Sequence, residues 1–216
     1  MIKIASFGCG VDSVAGLLLN SDYDEIIFAD TGSERPETYA YLDYFEKKSG
    51  LTITKVKSHV GNIYDYFVKG KSQPSKYHHF CSDKFKIAPI GKYLRTKYGK
   101  KETFEMNIFI DYQESHRSRT SNVKYITNKY PLVERKLERE QLKEIIKSKD
   151  YILPIKSGCY FCCFTTKSGW QDLKNKHPNL FDKALTLEKN SNTKTQLINM
   201  RGKDSQTLFE CKCFNG

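Results

Sequence analysis

Residues 4–13 read Ile4-Ala5-Ser6-Phe7-Gly8-Cys9-Gly10-Val11-Asp12-Ser13. An apolar strand over residues 2–6 passes here through a glycine-rich turn into a helix expected over residues 11–20. The first N–H groups of a helix lack intrahelical partners, and together with the helix dipole they favour a bound anion. Gly8 and Gly10 are expected to allow positive φ and close approach of the backbone to a ligand, while Ser6 and Ser13 add hydroxyl donors. The stretch therefore predicts a phosphate-binding loop and a nucleotide ligand.

The surrounding pattern extends this strand and helix into an α/β fold. Further strands are expected over residues 25–29, 51–56 and 103–110, with helices over 34–48, 61–68, 84–97 and 141–149. This alternation predicts a doubly wound, mostly parallel sheet of about five strands, with ligands at the carboxyl ends of the strands. After residue 150 a cysteine-rich turn precedes two helices, expected over 167–176 and 178–189. We therefore expect a nucleotide-binding domain over residues 1–150 and a small helical, cysteine-containing region over residues 151–216.

Composition narrows the class of protein. The chain has 216 residues, a net charge of +11 and seven cysteines. It begins directly on the first strand and has no apolar run long enough to span a bilayer, so we expect a cytoplasmic protein without membrane association. In a reducing compartment, cysteines indicate metal binding or redox chemistry rather than disulfides. Residues 67–101 hold ten Lys or Arg and one Asp among several aromatics, which fits a nucleic-acid surface or a solvated lysine-rich face.

The loop fits known kinds of nucleotide-binding turn to different degrees. A Walker loop requires a Gly-Lys pair, and none occurs near this turn. A dinucleotide fingerprint fits at Gly8 and Gly10 but finds Ser13 at the third glycine position, although Asp30 stands about where a ribose-binding acid falls. That pattern leaves Asp12 unexplained, because an acid in an anion site repels a pyrophosphate unless Mg²⁺ lies between them. Asp12 therefore favours a third kind of loop.

The pattern Ser6-x-Gly8-x-Gly10-Val11-Asp12-Ser13 resembles the PP-loop, usually S-G-G-x-D-S, of the HUP-like adenine-nucleotide α-hydrolase superfamily. It differs by one inserted residue and by Phe7 and Cys9. Further segments resemble phosphoadenosine phosphosulfate (PAPS) reductases, in the same order along the chain. They are Phe28-Ala29-Asp30-Thr31-Gly32, Cys81-Ser82-Asp83-Lys84-Phe85-Lys86-Ile87-Ala88-Pro89-Ile90, Glu114-Ser115-x-Arg117-x-Arg119, Tyr130-Pro131-Leu132 and Ser157-Gly158-Cys159-x-x-Cys162. On these motifs the chain resembles the PAPS reductase-like branch, and in particular its short stand-alone phage and bacterial members.

The resemblance implies roles for the residues at the motif positions. Asp30 would lie near the ribose or adenine, and Asp12 would also organise Mg²⁺. The phosphates of ATP, or of a sulfonucleotide (PAPS or APS), would contact Ser6, Gly8, Gly10, Val11, Asp12 and Ser13. The residues expected to act in the reaction are Asp12, Lys86, Glu114 and Arg119, of which the two cations would neutralise phosphates or the leaving pyrophosphate.

The cysteines indicate a metal centre. Cys159-x-x-Cys162 has a spacing that lets two thiolates bind one metal or cluster. In iron–sulfur members of the branch, a cysteine at the position of Cys81 joins a later C-x-x-C around a [4Fe–4S] cluster. The resemblance therefore implies Cys81, Cys159 and Cys162 as ligands, with a fourth from Cys163, Cys211 or Cys213. Zn²⁺ fits four thiolates equally well, so an iron–sulfur cluster, Zn²⁺ and no metal at all stay open.

Together these features predict an ATP-dependent enzyme that cleaves the α–β bond of ATP and adenylates an acceptor. Sulfur transfer to nucleic acid, as in DNA phosphorothioation or tRNA thiolation, is the expected version, with a desulfurase partner as sulfur donor. One alternative is a PAPS or APS reductase, although Glu210-Cys211-Lys212-Cys213 shares only two residues with the Glu-Cys-Gly-x-His element of the thiol-dependent reductases. Another is a non-catalytic nucleotide- or nucleic-acid-binding module with structural zinc.

Overall fold

The computed structural model of the chain describes residues 1–75 and 80–192. Its strands are β1 (Ile2–Ser6), β2 (Glu25–Asp30), β3 (Ile53–Lys57), β4 (Phe104–Ile108) and β5 (Ile126–Lys129). They form one parallel sheet in the order β3-β2-β1-β4-β5. β1 is central, and its last residue, Ser6, pairs with Ile27 on one side and Ile108 on the other. The predicted five-stranded parallel α/β fold is confirmed, and the loop after β1 starts where the strand order reverses.

Helices connect the strands and complete the chain. They are α1 (Val11–Leu19), α2 (Pro36–Ser49), α3 (Ile63–Lys69), α4 (Phe80–Ser82), α5 (Ala88–Tyr98), α6 (Pro131–Glu134), α7 (Arg139–Ser148), α8 (Lys167–Lys176) and α9 (Pro178–Lys189). A π-helical segment, Asp83–Ile87, joins α4 to α5, and a 3₁₀ helix spans Tyr112–Arg117. Within the described residues, no helix is both long and apolar enough to cross a membrane.

The described chain forms two compact units. The first comprises Met1–Ala29, Pro36–Val56 and Pro89–Ser157. Its sheet has an apolar cluster on each face, because neighbouring strand residues point in opposite directions: Ala5 belongs to one cluster and Ile4 to the other. A parallel sheet covered on both faces is the usual arrangement of this fold class.

The second unit comprises Asp30–Arg35, Lys57–Ala88 and the described residues from Gly158 onward. Its own apolar cluster contains Phe67, Phe85, Phe161 and the fully buried Trp170, whose ring meets the Phe181 ring edge-on at 6.4 Å. This division differs from the expected boundary at residue 150. Segments from the middle of the chain pack with the C-terminal helices, and a boundary drawn from the order of the sequence does not capture such packing.

Two local features also differ from expectation. β5 was not located from the sequence, because Ile126-Thr127-Asn128-Lys129 is a short, half-polar edge strand. The helix expected over residues 84–97 is instead a π-helical turn followed by α5. Pro89 has no N–H to donate to the preceding turn, and Ala88 donates its N–H to the Asp83 carbonyl five residues back.

Candidate functional site

The predicted phosphate-binding loop lies in the first unit, between β1 and α1. Gly10 caps the helix: its N–H donates to Ser13 Oγ (3.2 Å), and that hydroxyl donates to the Gly10 carbonyl (3.1 Å). A Cβ added at Gly10 would lie only 3.1 Å from Ser157 Oγ, so close approach explains the glycine. We expected a positive φ at Gly8 or Gly10, but the residue of the loop with a positive φ is Cys9 (58°). Cys9 is buried and donates its thiol to the Thr38 carbonyl at 3.4 Å, so it acts as a small core residue of the loop.

Asp12 stands in the first turn of α1 and is held by a residue that the sequence did not indicate. Arg139 Nη1, at the start of α7, lies 2.5 Å from Asp12 Oδ1 and 4.0 Å from Asp111 Oδ2. Burial raises the pKa of Asp12; Arg139 opposes this, Asp111 and Glu114 add to it, and the net shift is upward. The loop acid thus shares the Arg139 guanidinium with Asp111, and Glu114 is a third carboxylate in its surroundings.

The Glu/Arg element follows β4 in the same unit. Asp111 caps the 3₁₀ helix by accepting a hydrogen bond from the Glu114 N–H at 3.0 Å. Glu114 forms an ion pair with Arg117 and lies within electrostatic reach of Asp12, as expected of a site residue. Arg119 lies beyond the helix and is solvent-exposed. No contact brings its guanidinium to Asp12 in the described part of the chain, so its predicted action on phosphate stays a prediction.

Asp30, at the end of β2, belongs to the second unit. Its Oδ1 accepts the Gly32 N–H at 2.8 Å, and its Oδ2 lies 3.5 Å from Lys57 Nζ. Asn62 secures the turn that follows, donating to the Gly32 carbonyl at 2.6 Å and accepting from Ser33 Oγ at 2.7 Å. The carboxylate therefore shapes this turn, and its predicted contact with a ribose or adenine stays a prediction.

The same turn is paired with the first cysteine of the C-x-x-C motif. Glu34 and Cys159 form an isolated antiparallel bridge, flanked by a hydrogen bond from the Tyr160 N–H to the Ser33 carbonyl at 3.0 Å. Thr31 Oγ1 donates to Glu34 Oε1 at 3.0 Å and lies 3.3 Å from Cys159 Sγ. The buried Glu34 and Thr31 thus fix the position of this sulfur.

The sulfur atoms of the second unit form an interacting group. Cys162 interacts electrostatically with each of Cys81, Cys159 and Cys163. The pKa of Cys81 is raised to about 11, mainly by burial and to a smaller extent by the sulfur of Cys162. The pKa of Cys159 is raised further, mainly by burial and to a smaller extent by the Glu34 carboxylate. In the protein alone, Cys81 and Cys159 are therefore neutral thiols at neutral pH, and a bound cation would favour their thiolates.

Lys86 lies among these groups on the π-helical segment. Desolvation lowers the pKa of the Lys86 ammonium. The Glu34 carboxylate raises this pKa, Cys159 and Cys162 raise it to a smaller extent, and the net shift is upward. The side chain is also exposed to solvent. A charged, accessible ammonium beside the sulfurs can bind an anion there.

The metal site is supported by its donor chemistry but not by a formed cage. Soft thiol ligands fit zinc or an iron–sulfur cluster. Across residues 1–75 and 80–192, however, no three His, Cys, Asp or Glu side chains are arranged to hold a metal ion. Cys211 and Cys213, two of the candidates for the fourth ligand, lie outside the described residues. The metal ligands therefore stay a prediction, and we derive no reaction step through a metal at these cysteines.

Some cations of the basic block over residues 67–101 are engaged with the protein itself. Lys84 Nζ lies 4.3 Å from the Tyr66 ring centroid, and Lys97 Nζ lies 3.0 Å from the buried carboxylate of Glu25. Other lysines of the block, such as Lys69 and Lys92, are exposed. Residues 76–79 lie outside the described part of the chain, and the predicted nucleic-acid surface stays a prediction.

Comparison with known proteins agrees with the fold and the loop. The family model of the phosphoadenosine phosphosulfate reductase domain matches residues 3–105. An uncharacterized protein of Methanocaldococcus jannaschii is 27% identical over 196 residues, which are 85% of this chain and 47% of that protein. The chain thus spans about half the length of this curated relative.

Solved structures give more distant matches. The phosphoadenylyl-sulfate reductase of Candida auris, in its phosphate complex, has a TM-score of 0.52 at 13% identity, over 71% of this chain and 75% of that one. The U34-tRNA thiolase NcsA of Methanococcus maripaludis, with its [4Fe–4S] cluster, has a TM-score of 0.49 at 14% identity, over 87% of this chain and 71% of that one. The likeness to the Candida auris enzyme is one of fold. The family match over residues 3–105 and this fold support the predicted resemblance to the PP-loop, PAPS reductase-like superfamily.

Proposed function

We propose that this chain is an ATP-using enzyme that cleaves the bond between the α- and β-phosphates and adenylates an acceptor for sulfur transfer. The resemblance to the superfamily supports ATP-using sulfur transfer or sulfonucleotide reduction. The observation that favours the first is the Asp12 carboxylate in the first turn of α1, within a loop otherwise suited to anions.

The charges around Asp12 explain the preference. Asp12 and Asp111 share the guanidinium of Arg139, while Glu114 pairs with Arg117, so the side chains beside Asp12 carry net negative charge and repel a free triphosphate. A divalent cation removes this repulsion, and the oxygen ligands of Asp12 and Asp111 fit Mg²⁺. Bound there, Mg²⁺ would neutralise charge on a leaving pyrophosphate. Sulfonucleotide reduction releases sulfite and has no such leaving group, so an acid in the loop serves ATP cleavage better.

The proposed reaction has two displacements. An oxygen of the acceptor attacks the α-phosphorus of ATP, the bond to the bridging oxygen of the β-phosphate breaks, and pyrophosphate leaves with that oxygen. The N–H groups at the start of α1 bind the phosphates, and Arg139 is a second cation beside them. A sulfur nucleophile then attacks the activated atom of the acceptor, and AMP leaves with the former acceptor oxygen. We expect this sulfur to come from a partner desulfurase.

The cysteine group of the second unit is the proposed place where sulfur or metal is handled. Cys81, Cys159 and Cys162 would hold an iron–sulfur cluster or Zn²⁺, and either cation would stabilise the thiolates that burial disfavours. Lys86, charged and exposed, would bind an anionic reactant beside them.

The proposal is tested by pyrophosphate release from Mg²⁺-ATP, measured with DNA, tRNA and small-molecule acceptors. We expect Asp12→Asn to reduce release by about a hundredfold or more, because the nearly isosteric amide cannot serve as an anionic metal ligand. Asp22→Asn is the matched control, since the Asp22 side chain is 87% exposed and pairs only with a surface lysine in the described chain. Unchanged release from Asp12→Asn would remove the loop acid from the mechanism.

Sulfonucleotide reduction is the second candidate, favoured by the match to the PAPS reductase family model. It is tested by sulfite release from PAPS or APS in the presence of a thiol reductant. Sulfite release without pyrophosphate release from ATP would replace our proposal with this one. Nucleotide binding without either product would instead support a binding module.

A further inference from the structure

A hollow lies in the first unit beside the edge strand β5. Its volume is about 300 Å³. Its lining residues include Arg119, Asn128, the apolar Ile126 and several that carry hydroxyl groups, such as Ser118, Thr120 and Tyr130. None of these residues belongs to the phosphate-binding loop or to the Asp12–Arg139 pair. The hollow is therefore a separate candidate site, with one arginine in its lining.

The backbone of Arg119 is held on both sides. Tyr130 Oη accepts the Arg119 N–H at 2.8 Å and donates to the Arg119 carbonyl at 2.7 Å. Asn128 Nδ2 donates to the same carbonyl at 3.0 Å. The guanidinium itself is exposed and has no ion-pair partner among the described residues. The backbone of Arg119 is therefore fixed, and its guanidinium is available for an external anion.

Ser118 points to the same chemistry. Its Oγ is shielded from solvent and has no hydrogen-bond partner among the described residues. A shielded hydroxyl without a partner carries a desolvation cost of about 1–3 kcal/mol, which a ligand oxygen would remove. Ser118 and Arg119 are adjacent, and both residues line the hollow.

The surrounding chain carries positive charge. Residues 118–133 contain three Lys or Arg and no Asp or Glu. Lys124, two residues before β5, and Lys129, the last residue of β5, are exposed, and Arg95 lies over the Tyr125 ring, 3.9 Å from its centroid. A single small anion needs few of these cations, whereas a chain of phosphates can use them all.

We propose that the hollow binds a backbone phosphate of the nucleic-acid acceptor, with Arg119 as the cation and Ser118 Oγ as a donor. The identity of the acceptor rests on the proposed function, whereas the phosphate chemistry rests on the hollow itself. Arg119 would then anchor the acceptor strand, and the exposed lysines near β5 would contact neighbouring phosphates.

The test is binding of a fluorescent single-stranded oligonucleotide to the full chain, measured by anisotropy over a range of salt concentrations. We expect Arg119→Gln to weaken binding about tenfold and to reduce the slope of log affinity against log salt by about one. Lys47→Gln, which removes an exposed charge on α2, is the matched control and should have little effect. Equal losses from both variants would overturn the site in favour of diffuse charge attraction.

Ser118→Ala separates a binding role from a structural one. Because its hydroxyl has no described partner, the variant should melt at the wild-type temperature or slightly above it, yet bind the oligonucleotide about five- to tenfold more weakly. Wild-type affinity in this variant would overturn the role of Ser118. A competition experiment with inorganic phosphate distinguishes the two sources of phosphate. If inorganic phosphate displaces the oligonucleotide when its concentration only equals the concentration of phosphate groups in the oligonucleotide, the hollow is a site for free phosphate and the nucleic-acid assignment is wrong.

These binding measurements do not depend on ATP turnover. Oligonucleotide binding that needs Arg119, in a protein without pyrophosphate release, would support the hollow and contradict the proposed function. Pyrophosphate release from ATP, together with oligonucleotide binding that is unchanged by Arg119→Gln and Ser118→Ala, would support the proposed function and contradict the assignment of the hollow.

Discussion

Replacing Arg139 with glutamine tests how the charge of the loop acid is controlled. The Arg139 guanidinium is 2.5 Å from Asp12 and 4.0 Å from Asp111. Glutamine keeps a polar side chain at the start of α7 but removes the positive charge. The variant therefore leaves Asp12 and Asp111 without the cation that they share.

The size of the effect follows from exposure and Coulomb's law. Two unit charges about 4 Å apart attract by about 1 kcal/mol in water and about 4 kcal/mol at an effective dielectric constant of about 20. The Asp12 side chain is 16% exposed and that of Arg139 is 36% exposed, so the pair lies between these limits. We take about 2 kcal/mol, which corresponds to about a thirtyfold change in an equilibrium constant.

This change should move two binding constants in opposite directions. Without Arg139, the Asp12 carboxylate is free for a divalent cation, and the apparent affinity for Mg²⁺ should rise by up to about thirtyfold. The nucleotide phosphates lose a nearby cation, so the KM for ATP at saturating Mg²⁺ should rise. A residue that only supports the fold would not produce opposite shifts.

The assay is pyrophosphate release, titrated once with ATP at saturating Mg²⁺ and once with Mg²⁺ at saturating ATP. Lys143→Gln is the matched control: it removes a positive charge from the same helix, but Lys143 pairs with Glu140, whose side chain is 78% exposed. We expect less than a twofold change from it. The reasoning is refuted if Arg139→Gln weakens both affinities, or if it lowers only the melting temperature.

Two further predictions concern other parts of the molecule. Burial raises the pKa of Glu25, but hydrogen bonds from the groups around its carboxylate lower it and prevail. These groups are Tyr93, Thr54, Lys97 and Tyr98, at 2.6, 2.7, 3.0 and 2.9 Å. Since a lowered pKa stabilises the fold above the ordinary value of the group, Glu25→Gln should cost about 2 kcal/mol at pH 7, and urea melts should show this gap closing as pH falls below about 4. For the cysteine group, Cys162→Ser should lose the iron or zinc of anaerobically purified protein, while Cys9→Ser should retain it, as measured by elemental analysis; equal metal in both variants would contradict the ligand assignment.

Features of the site that depend on local pattern could be predicted from the sequence. β2 is buried at all six positions and is apolar at four of them, as a central parallel strand requires. Gly10 and Ser13 form a cap within four residues of sequence, so the start of α1 could be predicted from this short stretch. Because a loop after the first strand of such a sheet stands where the strand order reverses, its place in the fold followed from the βαβ rhythm.

Features of the site that depend on tertiary packing could not be predicted from the sequence. Arg139 reaches Asp12 across 127 positions of sequence, because α7 packs against α1, and nothing near Arg139 marks it as a site residue. Glu34 lies two residues beyond a recognisable segment, but only its pairing with Cys159 gives it a role. Cys9 takes the left-handed conformation that the neighbouring glycines were expected to take, since its thiol is anchored to the Thr38 carbonyl.

The carboxylate group of the first unit holds more negative than positive charge. Arg139 lies 2.5 Å from Asp12 and 4.0 Å from Asp111, while Glu114 pairs with Arg117. In the second unit, Lys86 lies near the Glu34 carboxylate, and the neutral thiols of Cys81 and Cys159 add no charge. One guanidinium cannot neutralise both Asp12 and Asp111, so the group in the first unit is incomplete until a ligand supplies more positive charge. For the loop, this means that a divalent cation and a nucleotide should bind cooperatively: the nucleotide alone meets net negative charge, the cation alone lacks the phosphate oxygens, and each supplies what the other needs.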